Sequence, residues 1–204
     1  MYTLLDQERL NVARQLPAGP LLGASLLTAL DKALPFRGHA IKYVLQGTER
    51  YTVNGRPFVV RSGHYLASNP QSTGHIAIDS PFVVTGLCAD LPTALIDGMV
   101  CACTRPDELE RTTLDHFFNS AEFLENSYAD GATRVGTLMR KVATEVHTDP
   151  YRRWTIAQSL YLQLAEAYVL DHQRLAPMLK RVVAARTSTR KEILRGLELS
   201  LIHI

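Results

Sequence analysis

Hydrophobic and polar positions follow one period in the first part of the chain and another in the second. Residues 36–90 alternate as strands do. In "AIKYVLQG", Ile41, Tyr43 and Leu45 point one way and Lys42, Val44 and Gln46 the other. "RYTVNGRPFVV" carries a hairpin signal: Asn54 and Gly55 tolerate the positive φ of a type I′ turn, and β-forming residues flank them. Gly63, Pro70 and Gly74 mark further turns, and "HIAI" and "FVVTGLCA" are expected as two short strands. The earlier run "PLLGASLLTALDKALP" fits either a helix stripe or early strands; strands are the expectation.

After Pro92 the period becomes helical. "PTALIDGMVCACT" places Pro92 in a first turn, where a missing N–H is harmless. "RPDELERTTLDHFFNSAEFLENSY" has acids in its first turn, which the helix dipole favours. "GATRVGTLMRKVATEVH" spaces Val135, Leu138, Met139, Val142 and Val146 for one helix face. The longest periodic stretch follows, with Trp154, Ala157, Tyr161, Leu164 and Tyr168 recurring at intervals of three and four. Such a stripe must be covered. It fits a core helix of this chain, and it fits a dimer interface in which two such helices pack antiparallel through Trp154, Tyr161, Leu164 and Tyr168.

These patterns predict an α+β chain: a small β-barrel over residues 1–90, then an antiparallel helical segment over 91–185. Short strands joined by Gly, Pro and Asn turns are the mark of such barrels. A basic stretch leads out of the helices. Lys180, Arg181, Arg186, Arg190, Lys191 and Arg195 face the single acid Glu192, a run whose usual reading is a solvated face.

Composition excludes several classes. The 204 residues are 46% hydrophobic and 21% charged, as in an ordinary globular protein. A net charge of +2 does not by itself imply nucleic-acid binding. The N-terminus is charged throughout and no apolar run is long enough to span a membrane. Three cysteines (Cys88, Cys101, Cys103) with no leader point to a reducing compartment, so a cytoplasmic location is expected.

Candidate chemistry is sparse. His39, His64 and His75 fall in the β half with Glu49, as a metal-dependent cupin enzyme would require. Such a site, however, wants two histidines alternating on one strand, and no His-x-His occurs. Cys101 and Cys103 lie two apart on an expected helix, where side chains do not face each other. A structural zinc site would need further ligands. Neither a phosphate loop nor a nucleophile elbow is present. No catalytic residue, metal or cofactor is assigned, and an enzyme is not expected.

The order of parts resembles the N-terminal sensing region of AraC/XylS-family transcription regulators. "YVLQGTERYTVNGRPFVVRSGHYLASNPQSTGH" is similar to the family's degenerate cupin, "ADLPTALIDGMV" to the exit from that barrel, and "VVAARTSTRKEILRGLE" to the segment joining the helices to paired helix-turn-helix units. The resemblance implies a homodimer, with a small-molecule effector in the barrel. It implies contact with promoter DNA only through a C-terminal helix-turn-helix domain absent from these residues. A pocket of His39, Tyr43 and His75 is expected on it, because these side chains set polar tips on apolar bodies. Thr189 and Glu192 have capping-box spacing for a first linker helix over 186–198. Residues 199–204, "LSLIHI", break that pattern and match the translation of a sequencing adapter, so they are expected to be an adapter-derived tail.

Overall fold

A computed structural model of the chain describes residues 2–7, 21–36, 38–103, 114, 116–119, 125–148 and 153–183. The linker and tail expectations for 186–204 lie outside the described residues. Among the described residues eight strands form the β part: β1 (Tyr2–Asp6), β2 (Leu21–Pro35), β3 (His39–Gln46), β4 (Thr48–Val53), β5 (Arg56–Arg61), β6 (His64–Ser68), β7 (Thr73–Leu91) and β8 (Asn126–Ala129). Three helices with described bounds follow or interrupt them, α1 (Thr93–Cys103), α2 (Arg134–Thr148) and α3 (Arg153–Val183), and Leu114 and residues 116–119 are also helical. None of the described helices is long and apolar enough to cross a membrane.

The leucine run resolves as strand. β2 pairs antiparallel with β7 almost throughout, from Leu21↔Asp90 to Pro35↔Thr73. The register shifts between Leu27, opposite Val84, and Ala29, opposite Asp79, and an irregularity of this kind bends the paired strands. The Gln7 side-chain oxygen accepts the backbone N–H of Thr28 and of Ala29 there, each at 3.2 Å, and so satisfies donors the shift leaves off the ladder. Two strands that bend together fold one sheet onto itself. The half of the β2–β7 pairing that holds Leu21–Leu27 and Val84–Asp90 joins β1, β3, β6 and β8; at the other end, Gly74–Ala77 of β7 pairs with β4 of the β4–β5 hairpin.

Two differences from the sequence pattern matter. "HIAI" and "FVVTGLCA" belong to one bent strand, β7, because Ser80–Phe82 continues the extended backbone between them. Asn126, Ser127 and Tyr128, expected to end a helix, instead lie in β8, which pairs antiparallel with β6. A tertiary partner overrides local propensity here: Tyr128 stacks on its register partner Tyr65 at 5.3 Å between centroids. The hairpin turn is as expected, with Asn54 at φ 50° and Gly55 at φ 75°.

The folded sheet has two apolar sides. Its inner surface carries Leu27, Ala40, Val44, Tyr51, Val53, Val60, Leu66, Ile76, Ile78 and Val84. Its outer surface over β2, β3, β6 and β7 carries Leu22, Ile41, Tyr43, Tyr65, Leu87 and Ala89, and the helices cover it. β3 is therefore buried on both faces, and simple alternation cannot tell which face is the barrel lumen. Tyr161, Leu164 and Tyr168 of α3 are buried in that outer cluster, so the chain's own sheet covers this part of the stripe. The Trp154 side chain lies outside the described residues.

Candidate functional site

Polar groups collect on the inner surface, where an apolar filling would suffice. Lys42, on the same strand face as Ala40 and Val44, is the register partner of Cys88. Its ammonium donates to Asp90 Oδ1 at 3.0 Å and contacts Cys88 Sγ. Glu49 and Tyr51 of β4 face the same interior, and the Tyr51 hydroxyl donates to the Glu49 carboxylate. Gly86 makes room for this acid: a Cβ built there would meet Glu49 Oε1 and Ser25 Oγ, each at 2.6 Å. Lys42 and Glu49 are buried, while the Asp90 side chain keeps about a quarter of its surface exposed, so the cluster reaches solvent at that end.

Burial sets the electrostatics. It pushes the Glu49 carboxyl above its ordinary range, against the Tyr51 hydrogen bond and the nearby Lys42 charge. Burial also holds Cys88 as a thiol, pushed up to about 12, with Lys42 opposing. For Lys42, burial disfavours the charge, but Cys88 and Asp90 outweigh it and the ammonium stays above its usual range. An interior cation beside a carboxylate, with a second buried carboxyl on the same surface, can bind a small molecule that accepts from nitrogen and hydrogen-bonds to a carboxyl group. Desolvating such groups is costly and a buried pair seldom repays it in stability, which marks the cluster as a candidate site.

The Asp90 main chain also faces the helices. Its carbonyl accepts the Tyr161 hydroxyl of α3 at 3.1 Å. One residue thus touches the inner cluster by its side chain and the helical layer by its backbone.

The expected pocket residues go elsewhere. His39 and Tyr43 do share a strand face, but that face meets the helices. His39 packs edge-on against Phe118 and Tyr168, and Tyr43 donates to Asp130 Oδ2 at 3.0 Å. His75 lies half-exposed with Ala77 on the sheet's other side, its Nε2 2.7 Å from Asp31 Oδ1. The structure puts His39 and Tyr43 on one strand face but with separate partners, and places His75 elsewhere. The metal-enzyme grouping does not converge either. Glu49 points inward, His39 outward, and His64 pairs with the Ser62 carbonyl at the start of β6. Among the described residues no cluster of histidine, cysteine and carboxylate suits a metal ion. Alternation puts Lys42 on the face opposite Tyr43 and by itself implies no role for it. The available signal was a lysine inside a strand apolar on both sides, "AIKYVL".

No family model and no curated protein matches the chain. Among solved structures it is similar to the AraC-like transcriptional activator CuxR, with a TM-score of 0.41 and 9% identity over 84% of this chain and 64% of that one. It is similar to an apo form of ToxT from Vibrio cholerae, with a TM-score of 0.46 and 5% identity over 76% of this chain and 55% of that one. A third of it, 33%, is similar to a cupin protein from Bacteroides fragilis, with a TM-score of 0.30 and 18% identity over 61% of that chain. The chain spans less than two thirds of each of these three structures.

Proposed function

We propose that this chain is the effector-sensing region of an AraC/XylS-type transcription regulator, with the effector site inside the barrel at Lys42, Glu49 and Asp90. The observation that carries the reading is the ion pair of the buried Lys42 with the partly exposed Asp90, joined through Asp90 to α3. A ligand that takes over Lys42 or Asp90 changes the electrostatics of the strand end that the Tyr161 hydroxyl holds. Two arrangements of Asp90, one paired with Lys42 and one not, then favour different settings of α3 on the sheet, and the ligand shifts their populations. The effector is a small polar molecule that accepts from the Lys42 ammonium and pairs with the Glu49 carboxyl. Promoter binding belongs to helix-turn-helix units reached through the basic stretch after α3, and homodimerisation uses surface other than the buried part of the α3 stripe.

Reading the gene beyond this sequence tests the regulatory half of the proposal. Two helix-turn-helix units in frame support it, and a different domain there overturns it. Elemental analysis of the purified chain tests against a metal-dependent enzyme: stoichiometric iron, manganese or zinc overturns the sensor assignment as written.

A further inference from the structure

We propose that Lys42 and Cys88 form an oxidant-driven cross-link, in which peroxide joins the lysine amine to the cysteine sulfur as a sulfenamide. The chemistry does not depend on the chain's being a regulator. The two residues are register partners on adjacent strands, so the backbone ladder holds their Cα atoms opposite each other. Lys42 Nζ lies in contact with Cys88 Sγ, and Asp90, which receives a hydrogen bond from each of them, keeps the amine aimed there. Cys88 forms no disulfide and is partly exposed, and the cluster opens to solvent at Asp90, which gives a small neutral oxidant a route in.

The steps balance. The Cys88 sulfur attacks one oxygen of hydrogen peroxide, the O–O bond breaks, and the thiol proton leaves with the departing hydroxide as water. The product is a sulfenic acid; sulfur has lost two electrons and peroxide has gained them. Asp90 then takes a proton from the Lys42 ammonium. The freed amine lone pair attacks sulfur and the S–OH bond breaks. The hydroxide leaves as a second water with the proton the nitrogen gives up, and the proton on Asp90 returns to solvent. One peroxide becomes two waters, and the protein loses two hydrogen atoms. Added thiol reverses the bond. Burial holds Cys88 as a thiol, up to about 12, so the first step is slow beside that of a low-pKa sensor cysteine and belongs to high oxidant exposure. The cross-link takes the cation away from Asp90 and Glu49, so oxidation rewrites the charge of the barrel interior.

The test is peptide mass spectrometry of the full chain after hydrogen peroxide and alkylation, with trypsin as protease. The expected result is a linked pair of peptides, lighter than their sum by two hydrogens, with cleavage after Lys42 lost and dithiothreitol restoring both. Lys42→Arg keeps a cation beside Asp90 but has no primary amine; its Cys88 is expected to remain unlinked and to react with a sulfenic-acid trap. The exposed Cys101 reports that oxidant reached the protein. Unlinked Cys88 in the unsubstituted chain, with Lys42 still cleaved while Cys101 is oxidised, overturns the proposal. So does a link that persists in Lys42→Arg.

Discussion

His39 of β3 and His172 of α3 meet the same two aromatic rings, Phe118 and Tyr168, between the sheet and the helices. Both histidines are buried. Burial lowers His39 to about 3, helped by His172, and lowers His172 to about 4. His172 Nδ1–H donates to the Tyr168 carbonyl at 2.8 Å, which fixes the neutral tautomer. Between those values and the unfolded value of 6.5, the unfolded chain binds protons that the native chain refuses. Stability from these rings is therefore complete above pH 6.5 and falls as pH drops, by up to about 1.4 kcal/mol per unit per histidine. Glu49 and Asp171, raised by burial, pull the other way as pH falls. The informative quantity is thus a difference. Denaturant unfolding at pH 7 and 5 is expected to show a smaller acid loss in His39→Leu than in the unsubstituted chain, and equal losses refute the buried neutral pair.

Glu49 gives the opposite sign. Its raised carboxyl contributes stability that is lost as pH rises above the unfolded carboxylate range. Glu49→Gln keeps an acceptor for Tyr51 and removes the charge. It is expected to stabilise the chain relative to the parent at pH 8 and much less at pH 5, read from chemical denaturation at both.

Lys42 and Asp90 are expected to couple. Removing one partner leaves a largely desolvated charge, so Lys42→Met destabilises by about 1–3 kcal/mol, with the exposed end of Asp90 moderating the cost. Lys42→Met with Asp90→Asn is expected to recover most of that loss in a double-mutant cycle. Simple addition of the two single effects contradicts the paired geometry.

Leu164 separates a core role from an interface role. It is fully buried in the single chain. Leu164→Ala is expected to cost about 2–5 kcal/mol, with a shift of unfolding midpoint that does not change with protein concentration. A concentration-dependent shift places the residue in an oligomer interface instead.

Two glycines are expected to respond oppositely. Gly98 is exposed within α1, with open space around a built Cβ, so Gly98→Ala stabilises by roughly 0.5–1 kcal/mol. Gly86→Ala drives a methyl into Glu49 and Ser25 and is expected to destabilise and to disturb the inner cluster. Thermal unfolding of both variants checks the contrast.

Periodicity revealed the β-then-α order, the Asn54–Gly55 hairpin and α2, because these depend on local signals. It did not reveal β8, whose four residues are strand only because β6 offers an edge and Tyr65 a ring. Nor did it identify the lumen. β3 is apolar on both sides, so alternation placed His39 with Tyr43 correctly and left open which side the helices cover. Only the bend of β2 and β7 decides that, and it decides that Lys42 rather than His39 faces inward. Glu49 and Tyr51 lie two apart on β4, so alternation alone puts them on one face and in reach of each other; that this face is the barrel interior is a property of the fold and not of the local pattern.

The most direct test of an interior effector site is a thermal-shift screen of small polar metabolites against the parent chain, Lys42→Met and His75→Ala. Compounds that stabilise the parent are expected to lose their effect in Lys42→Met and to keep it in His75→Ala. Stabilisation that survives in Lys42→Met, or that disappears with His75, contradicts the assignment of the site to the barrel interior.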